Sequence, residues 1–222
     1  NFEYYRNNAK KTDFNIYGKA NYEFVKGLSA FLDLQYRHVN VKMQDPSDWF
    51  IGNSFTGDYI INEKYDFFNP KFGFNYEINT NSKVYISYAI AHKEPVRNNY
   101  EDWNAGSEKP KVERLNDLEL GYKYQSSKFS AGANFYYMNY KNQFVLTGEL
   151  NSIGEAVTRN LEKTYRMGVE LEAAWKPVSW FQWDANATWS KNRAKDMMVT
   201  LEDGETKASL GETPLSFSPD FI

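Results

Sequence analysis

Apolar and polar residues alternate with period two along most of the chain, and helical periodicity is scarcely present. From Phe14 to Phe24 the even positions read Phe14, Ile16, Gly18, Ala20, Tyr22, Phe24 and the odd ones Asn15, Tyr17, Lys19, Asn21, Glu23. Eight such stretches, at roughly 13–24, 28–37, 68–78, 83–90, 117–124, 129–137, 166–175 and 181–190, are predicted strands. On one face of them every position is apolar except Gly18 and Pro70. On the other face only Tyr17, Phe31, Tyr85, Ala89, Tyr136 and Ala174 are apolar. These are strands with two unlike surroundings.

The connections alternate short and long. Val25–Gly27, Asn79–Ser82, Gln125–Lys128 and Lys176–Trp180 have the composition of tight hairpins. The intervening connections, 38–67, 91–116, 138–165 and 191–213, are long, with some strand continuing into them. The apolar face is also graded along the strands. Tyr22, Tyr76, Tyr122, Phe129 and Trp175 lie near the short turns, and Leu34, Ile86, Ala133 and Leu171 lie further along. Aromatics return at the far end as Tyr36, Tyr88, Tyr137 and Trp189. Two aromatic girdles around an aliphatic waist fit a membrane-crossing antiparallel β-barrel with short periplasmic turns and long extracellular loops. A soluble antiparallel β-protein would alternate too, but its core would have to hold Trp175, Trp183 and Trp189 opposite a face of charges.

Composition sharpens this. The chain has 222 residues, 18% of them aromatic, which excludes disorder as the main state. The longest unbroken apolar runs, Tyr88–Ala91 and Phe135–Met138, fall far short of the ~20 residues a spanning helix needs. No cysteine is present, so there is no disulfide, zinc–thiolate site or cysteine nucleophile. A net charge of -3 offers no basic face, and no nucleic-acid partner is expected. His38 and His92 are the only histidines. With no Ser/His/Asp set and no phosphate loop, no enzyme activity, cofactor, catalytic residue or metal site is expected.

Glu113–Tyr124 followed by Phe129–Tyr140 resembles the mid-barrel strands of TonB-dependent outer-membrane receptors. Gly168-Val169-Glu170-Leu171-Glu172, the Pro177 turn and Trp183–Trp189 are similar to the next hairpin of that family. Asp33–Arg37, Thr213-Pro214-Leu215 and Ser218-Pro219 fit the same pattern. The resemblance implies about 8–10 strands of a larger barrel of about 22 strands. It implies a Gram-negative outer-membrane location, an N-terminal plug pulled by the TonB complex, and active import of a scarce ligand. Residues 1–222 are then expected to be a partial barrel domain, truncated at both ends, with open edges at 9–24 and 214–222. A passive porin and a soluble β-rich binding module are the alternatives.

The inward glycines Gly73, Gly121, Gly132 and Gly168 are expected either to clear the plug or to relieve strain at bends. Inward Glu119, Glu170, Glu172, Asp184, Arg166 and Lys123 either meet plug or ligand or form ion pairs in a wet lumen. Exposed aromatics in the loops suit stacking on ligand rings, or packing of loop on loop. Arg97, Tyr100 and Trp103 are the expected ligand contacts, with Arg159 second. The resemblance favours a ferric siderophore. The long connections carry more acidic than basic residues, so they offer no positive funnel and add weight to a neutral or glycan-like ligand, with the ferric siderophore still the expected one.

Overall fold

The computed structural model describes residues 8–44, 59–101, 103, 108–150, 154, 156–195, 197–200 and 207–222. Eight long strands follow one another as an antiparallel meander. They are β1 (Ala9–Val25), β2 (Leu28–Gln44), β3 (Tyr59–Asn79), β4 (Ser82–Lys93), β5 (Glu113–Gln125), β6 (Phe129–Leu150), β7 (Ala156–Val178) and β8 (Phe181–Lys195). A short helix α1 (Arg97–Glu101) interrupts the β4–β5 connection. Met198–Thr200 (β9) and Lys207–Ser209 (β10) form a separate hairpin, and Thr213–Pro214 (β11) pairs with β8 as a ninth member of the main sheet. The sheet runs β1 to β8 in sequence order and is open, with β1 and β11 at its two edges.

The four predicted tight turns close hairpins. Gly27, at φ +87, supplies the left-handed residue of the first, and its amide donates to Glu23 Oε1 at 2.9 Å. The 138–165 connection is mostly not loop. It is the continued ladder of β6 and β7, 22 and 23 residues long. At about 3.3 Å per residue these strands run roughly 70 Å, far more than a hydrocarbon layer of about 30 Å requires. They therefore extend well beyond such a layer on the side away from the short turns.

Through the strand cores the register follows the sequence parity, and its shifts fall at the strand ends. One unbroken cross-strand row reads Tyr22, Ala30, Phe74, Ile86, Leu120, Phe135, Val169, Trp189. The adjacent row on the opposite face reads Asn21, Phe31, Gly73, Ser87, Glu119, Tyr136, Gly168, Ser190. Ile16, Leu32, Phe72, Leu120, Leu171 and Trp183 lie on the first face and are exposed. That is what a lipid-facing wall requires and what a water-soluble sandwich avoids. No helix among the described residues is long and apolar enough to cross a membrane.

The buried cluster sits at the extracellular end of the polar face. Val39, Val41, Met43, Ile61 and Phe67 point inward there, and Tyr100 of α1 completes the cluster with no exposed surface. On β2 the apolar parity inverts. Even positions are apolar up to Tyr36, and odd positions from Val39. The register itself does not shift until Met43, so the inversion reports a change of surroundings, with the β4–β5 connection covering the inner wall.

Candidate binding site at the barrel mouth

The β4–β5 connection forms a strap over the concave face, tied at several points. Beside β4, Glu94 is buried and accepts from Arg37 Nη1 at 2.8 Å and from Lys11 Nζ at 2.5 Å. Arg37 also reaches Asp13, Nη2 to Oδ2 at 2.5 Å, so two cations and two carboxylates alternate across β1, β2 and the strap. Burial alone would raise the Glu94 carboxyl, but the bonds from Lys11 and Arg37 hold it below the usual range.

Further along, the Tyr100 hydroxyl bonds the Tyr65 hydroxyl while its ring packs on the cluster of β2 and β3. Burial, then the Tyr65 contact, pushes the Tyr100 phenol well above its ordinary value. Asn99 accepts from the Val96 amide at 2.8 Å and donates to Thr158 Oγ1 of β7 at 3.0 Å. The Lys111 amide donates to Asn160 Oδ1 at 2.7 Å, and Lys109 pairs with Glu63. The strap thus joins β1–β3 on one side to β7 on the other.

The expected contact residues are placed unequally. Arg97 opens α1 and Trp103 follows it; both are half-buried in the strap. The Trp103 amide donates to the Tyr100 carbonyl at 3.2 Å. Tyr100 is fully buried, so its ring packs against the wall and anchors the other two. Arg159 is exposed and lies on the opposite face of β7 from Thr158, which bonds the strap. The structure therefore brings Arg97, Tyr100 and Trp103 together in the strap and places Arg159 on the other face of β7. The loop aromatics Trp49, Phe50 and Phe55 lie outside the described residues, and the side chain of Tyr59 is not described.

The two histidines are placed differently. His38 is on the outward face, its Nδ1 2.7 Å from Asp66 Oδ1, to which Tyr36 also donates. β3 and β4 cease to pair beyond Lys71 and Ala89. His92 fills the gap, stacked on Phe67 and bonded to Asn69. Among the described residues no three His, Cys, Asp or Glu side chains are placed to hold a metal ion.

Below the strap the inner wall is polar. A shallow cavity of about 400 Å³ is lined by Glu119, Tyr136, Arg166, Glu170 and Asn192. Lys123 lies 3.8 Å from Glu172, and Arg166 donates to Ser218 at 3.3 Å. Gly73, Gly121 and Gly168 each lie directly opposite an inward aromatic, Phe31, Tyr85 and Tyr136 in turn. A Cβ at any of the three would collide with that ring. They seat cross-strand rings, a role the sequence did not suggest. Arg37, Glu94 and Tyr65 were also missed as mouth residues, although the parity inversion at Val39 was their signal.

An open, twisted antiparallel wall with an apolar outer face, a polar inner face and a strapped mouth defines a segment of an outer-membrane-type β-barrel. The sequence matches the TonB dependent receptor-like beta-barrel family over residues 1–222, and the chain belongs to that family. No match is found among curated proteins. Among solved structures it is similar to the ferric-catecholate import receptor Fiu of E. coli K12, at 19% identity and TM-score 0.67, over 97% of this chain and 31% of that one. It is also similar to the copper transporter OprC, at 17% and 0.67, over 83% and 29%. The FrpB iron transporter of Neisseria meningitidis matches at 18% and 0.62, over 86% and 27%. These likenesses show the fold. The chain spans less than a third of the length of these three proteins.

Proposed function

We propose that this chain is wall and mouth of an outer-membrane receptor that binds a scarce extracellular ligand, a ferric siderophore, and imports it with TonB-coupled energy. The observation that carries the reading is the strap. An open pore needs only its wall, whereas here a folded connection is tied across the concave face by Glu94, Asn99 and Tyr100. A fixed surface inside the mouth suits ligand capture better than free diffusion. The family and the iron and copper transporters of like fold support the same direction. Arg97 and Trp103 are the proposed contacts, with Tyr100 positioning them and Arg159 reserved for a ligand that reaches over the rim.

A second reading, import of a neutral or glycan-like ligand, is supported by the inner wall, where Glu119, Glu170, Glu172 and Asp184 outnumber Arg166 and Lys123. Uptake by the whole receptor in cells, with and without an active TonB complex, tests both. Loss of ferric-siderophore uptake on TonB inactivation supports the first. Uptake that persists makes the protein a passive channel, and TonB-dependent uptake of oligosaccharide alone favours the second.

A further inference from the structure

A second feature of the inner wall lies below the strap, where the chain after β11 runs on beside β8. The Leu215 amide donates to the Asn192 carbonyl at 3.1 Å, and the Ser190 amide to the Asp220 carbonyl at 2.7 Å. On β8 only Lys191 lies between Ser190 and Asn192. On the facing segment Ser216, Phe217, Ser218 and Pro219 lie between their partners, so the surplus leaves the ladder as a bulge. The bulge swings into the lumen. Arg166 Nη1 donates to Ser218 Oγ at 3.3 Å, and Ser190 Oγ donates to the Pro219 carbonyl at 3.1 Å. Asn192 Nδ2 donates in turn to Ser190 Oγ at 2.8 Å, and both residues are buried. The bulge is stapled to the wall.

Its tip is unusual in two ways. Phe217 takes φ +54, the left-handed region that bulky side chains avoid. Its surface is 92% exposed, so no wall residue covers the ring. A glycine would hold the same backbone without that cost. Strain of this kind persists only where the surroundings impose it, and it gathers at binding sites. Bulges also serve to re-aim a side chain. This one presents an aromatic face to the lumen.

The neighbours of the ring define what it meets. Phe217 lines the cavity of about 400 Å³ together with Tyr136, Glu119, Glu170 and Arg166. Glu119 accepts from Ser87 at 3.5 Å and Glu170 from Asn134 at 3.4 Å, both at the long limit for a hydrogen bond. Neither carboxylate forms an ion pair among the described residues, so both keep acceptor capacity for a ligand. Two carboxylates against one guanidinium repel an anion. A bare hydrocarbon would strip water from all three charges and return no hydrogen bond. A pyranose satisfies the whole set. One CH face lies on the Phe217 ring, its hydroxyls donate to Glu119 and Glu170, and a hydroxyl oxygen accepts from Arg166.

We infer that the Phe217 bulge, with the Glu119, Glu170 and Arg166 side chains that share its cavity, is a lumenal binding site for one uncharged sugar ring. The site rests on the import of a neutral or glycan-like ligand proposed above and gives that cargo a place in the wall.

Equilibrium binding to the whole purified receptor tests it, in a polyoxyethylene detergent that has no sugar headgroup. Methyl glucoside, methyl galactoside and methyl mannoside are titrated and read by saturation-transfer NMR. Wild type is expected to bind at least one of the three, at least tenfold more tightly than glucuronate or tetramethylammonium. Phe217→Gly relieves the strained backbone, so it should fold at least as well as wild type while losing at least tenfold in affinity. Phe217→Tyr keeps the ring and should stay within about threefold of wild type. The lumenal K123Q, outside this cavity, should bind like wild type. Absence of saturable binding by all three pyranosides, equal affinity in Phe217→Gly, or tighter binding of glucuronate or tetramethylammonium overturns the site. Uptake plays no part in the readout. Pyranoside binding without TonB-dependent oligosaccharide uptake would sink the import proposal alone, and oligosaccharide uptake without pyranoside binding would sink the site alone.

Discussion

Tyr85 and Gly121 are direct partners across β4 and β5, and the Tyr85 ring occupies the space that a Cβ on Gly121 would need. Its hydroxyl continues to Asn134 Oδ1 on β6 at 3.0 Å, so one side chain bridges three strands of the inner wall. Phe31 with Gly73 and Tyr136 with Gly168 repeat the relation. Three inward aromatics of this sheet are each seated opposite a partner that lacks a side chain.

The glycines should differ in tolerance. At Gly168 a new Cβ would meet the Trp189 carbonyl oxygen at 2.5 Å, which is backbone, and the Tyr136 hydroxyl at 2.7 Å. At Gly121 the nearest atoms it meets belong to the ring and hydroxyl of Tyr85, a side chain that can swing into the lumen. Gly168→Ala should therefore cost ~1–3 kcal/mol, and Gly121→Ala less than ~1 kcal/mol, the value of the lost Asn134 bond. Urea unfolding of the receptor in vesicles measures both. The reverse order would refute the seating role.

Much of this wall was legible in the sequence, because a membrane imposes a simple rule on it. Every outward residue between the girdles has to be apolar whatever its neighbours are, so parity alone places Leu32, Ile86, Leu120 and Val169. The strap obeys no such rule. Tyr100 looks like any loop aromatic, and its burial depends on Val39 and Phe67, which are distant in sequence. Glu94 gains its role only because the register puts Asp13 beside Arg37. Long-range packing of this kind leaves a faint trace in one sequence, here the parity inversion on β2.

The strap should respond to acid in a defined window. Glu94 is held below its ordinary value, so its contribution to stability is complete above the unfolded carboxyl value near 4.5 and is lost as pH falls through the folded one. At pH 7 the strap is tied. Glu94→Gln should loosen it by about 1–3 kcal/mol at neutral pH and remove most of the acid response. Hydrogen exchange at the Asn99 and Trp103 amides reads both effects. Unchanged protection in Glu94→Gln at pH 7 would count against the tie.

Two changes at Tyr100 separate packing from hydrogen bonding. Tyr100→Phe keeps the ring against Val39, Val41 and Met43 and loses only the Tyr65 bond, a cost of ~1 kcal/mol. Tyr100→Ala empties a fully buried site and should cost ~3–5 kcal/mol of local strap stability. If Arg97 and Trp103 are the contacts, Tyr100→Ala should weaken ligand binding and Tyr100→Phe should not. Equal binding by both variants would show that the strap does not position the contacts.

Depth on the outward face sets the last expectation. Leu120 lies between the aromatic girdles, in the unbroken apolar row from Tyr22 to Trp189, and half of its surface is exposed to the surroundings of the sheet. An arginine there must either carry its charge into hydrocarbon or bend the bilayer to reach water, so Leu120→Arg should cost ~2–4 kcal/mol. Asn116 shares the face and the strand but sits four residues higher, beside Arg114. The same guanidinium at Asn116 reaches the headgroup zone unaided and should cost ~0–1 kcal/mol. An inward control, Gln125→Arg, projects into the lumen near the short turns and should be tolerated equally well. Urea titration of the three variants in vesicles of one composition gives the comparison. Losses at Leu120 and Asn116 that match would mean that the outward face does not meet lipid at graded depth, and the barrel placement would fall with it.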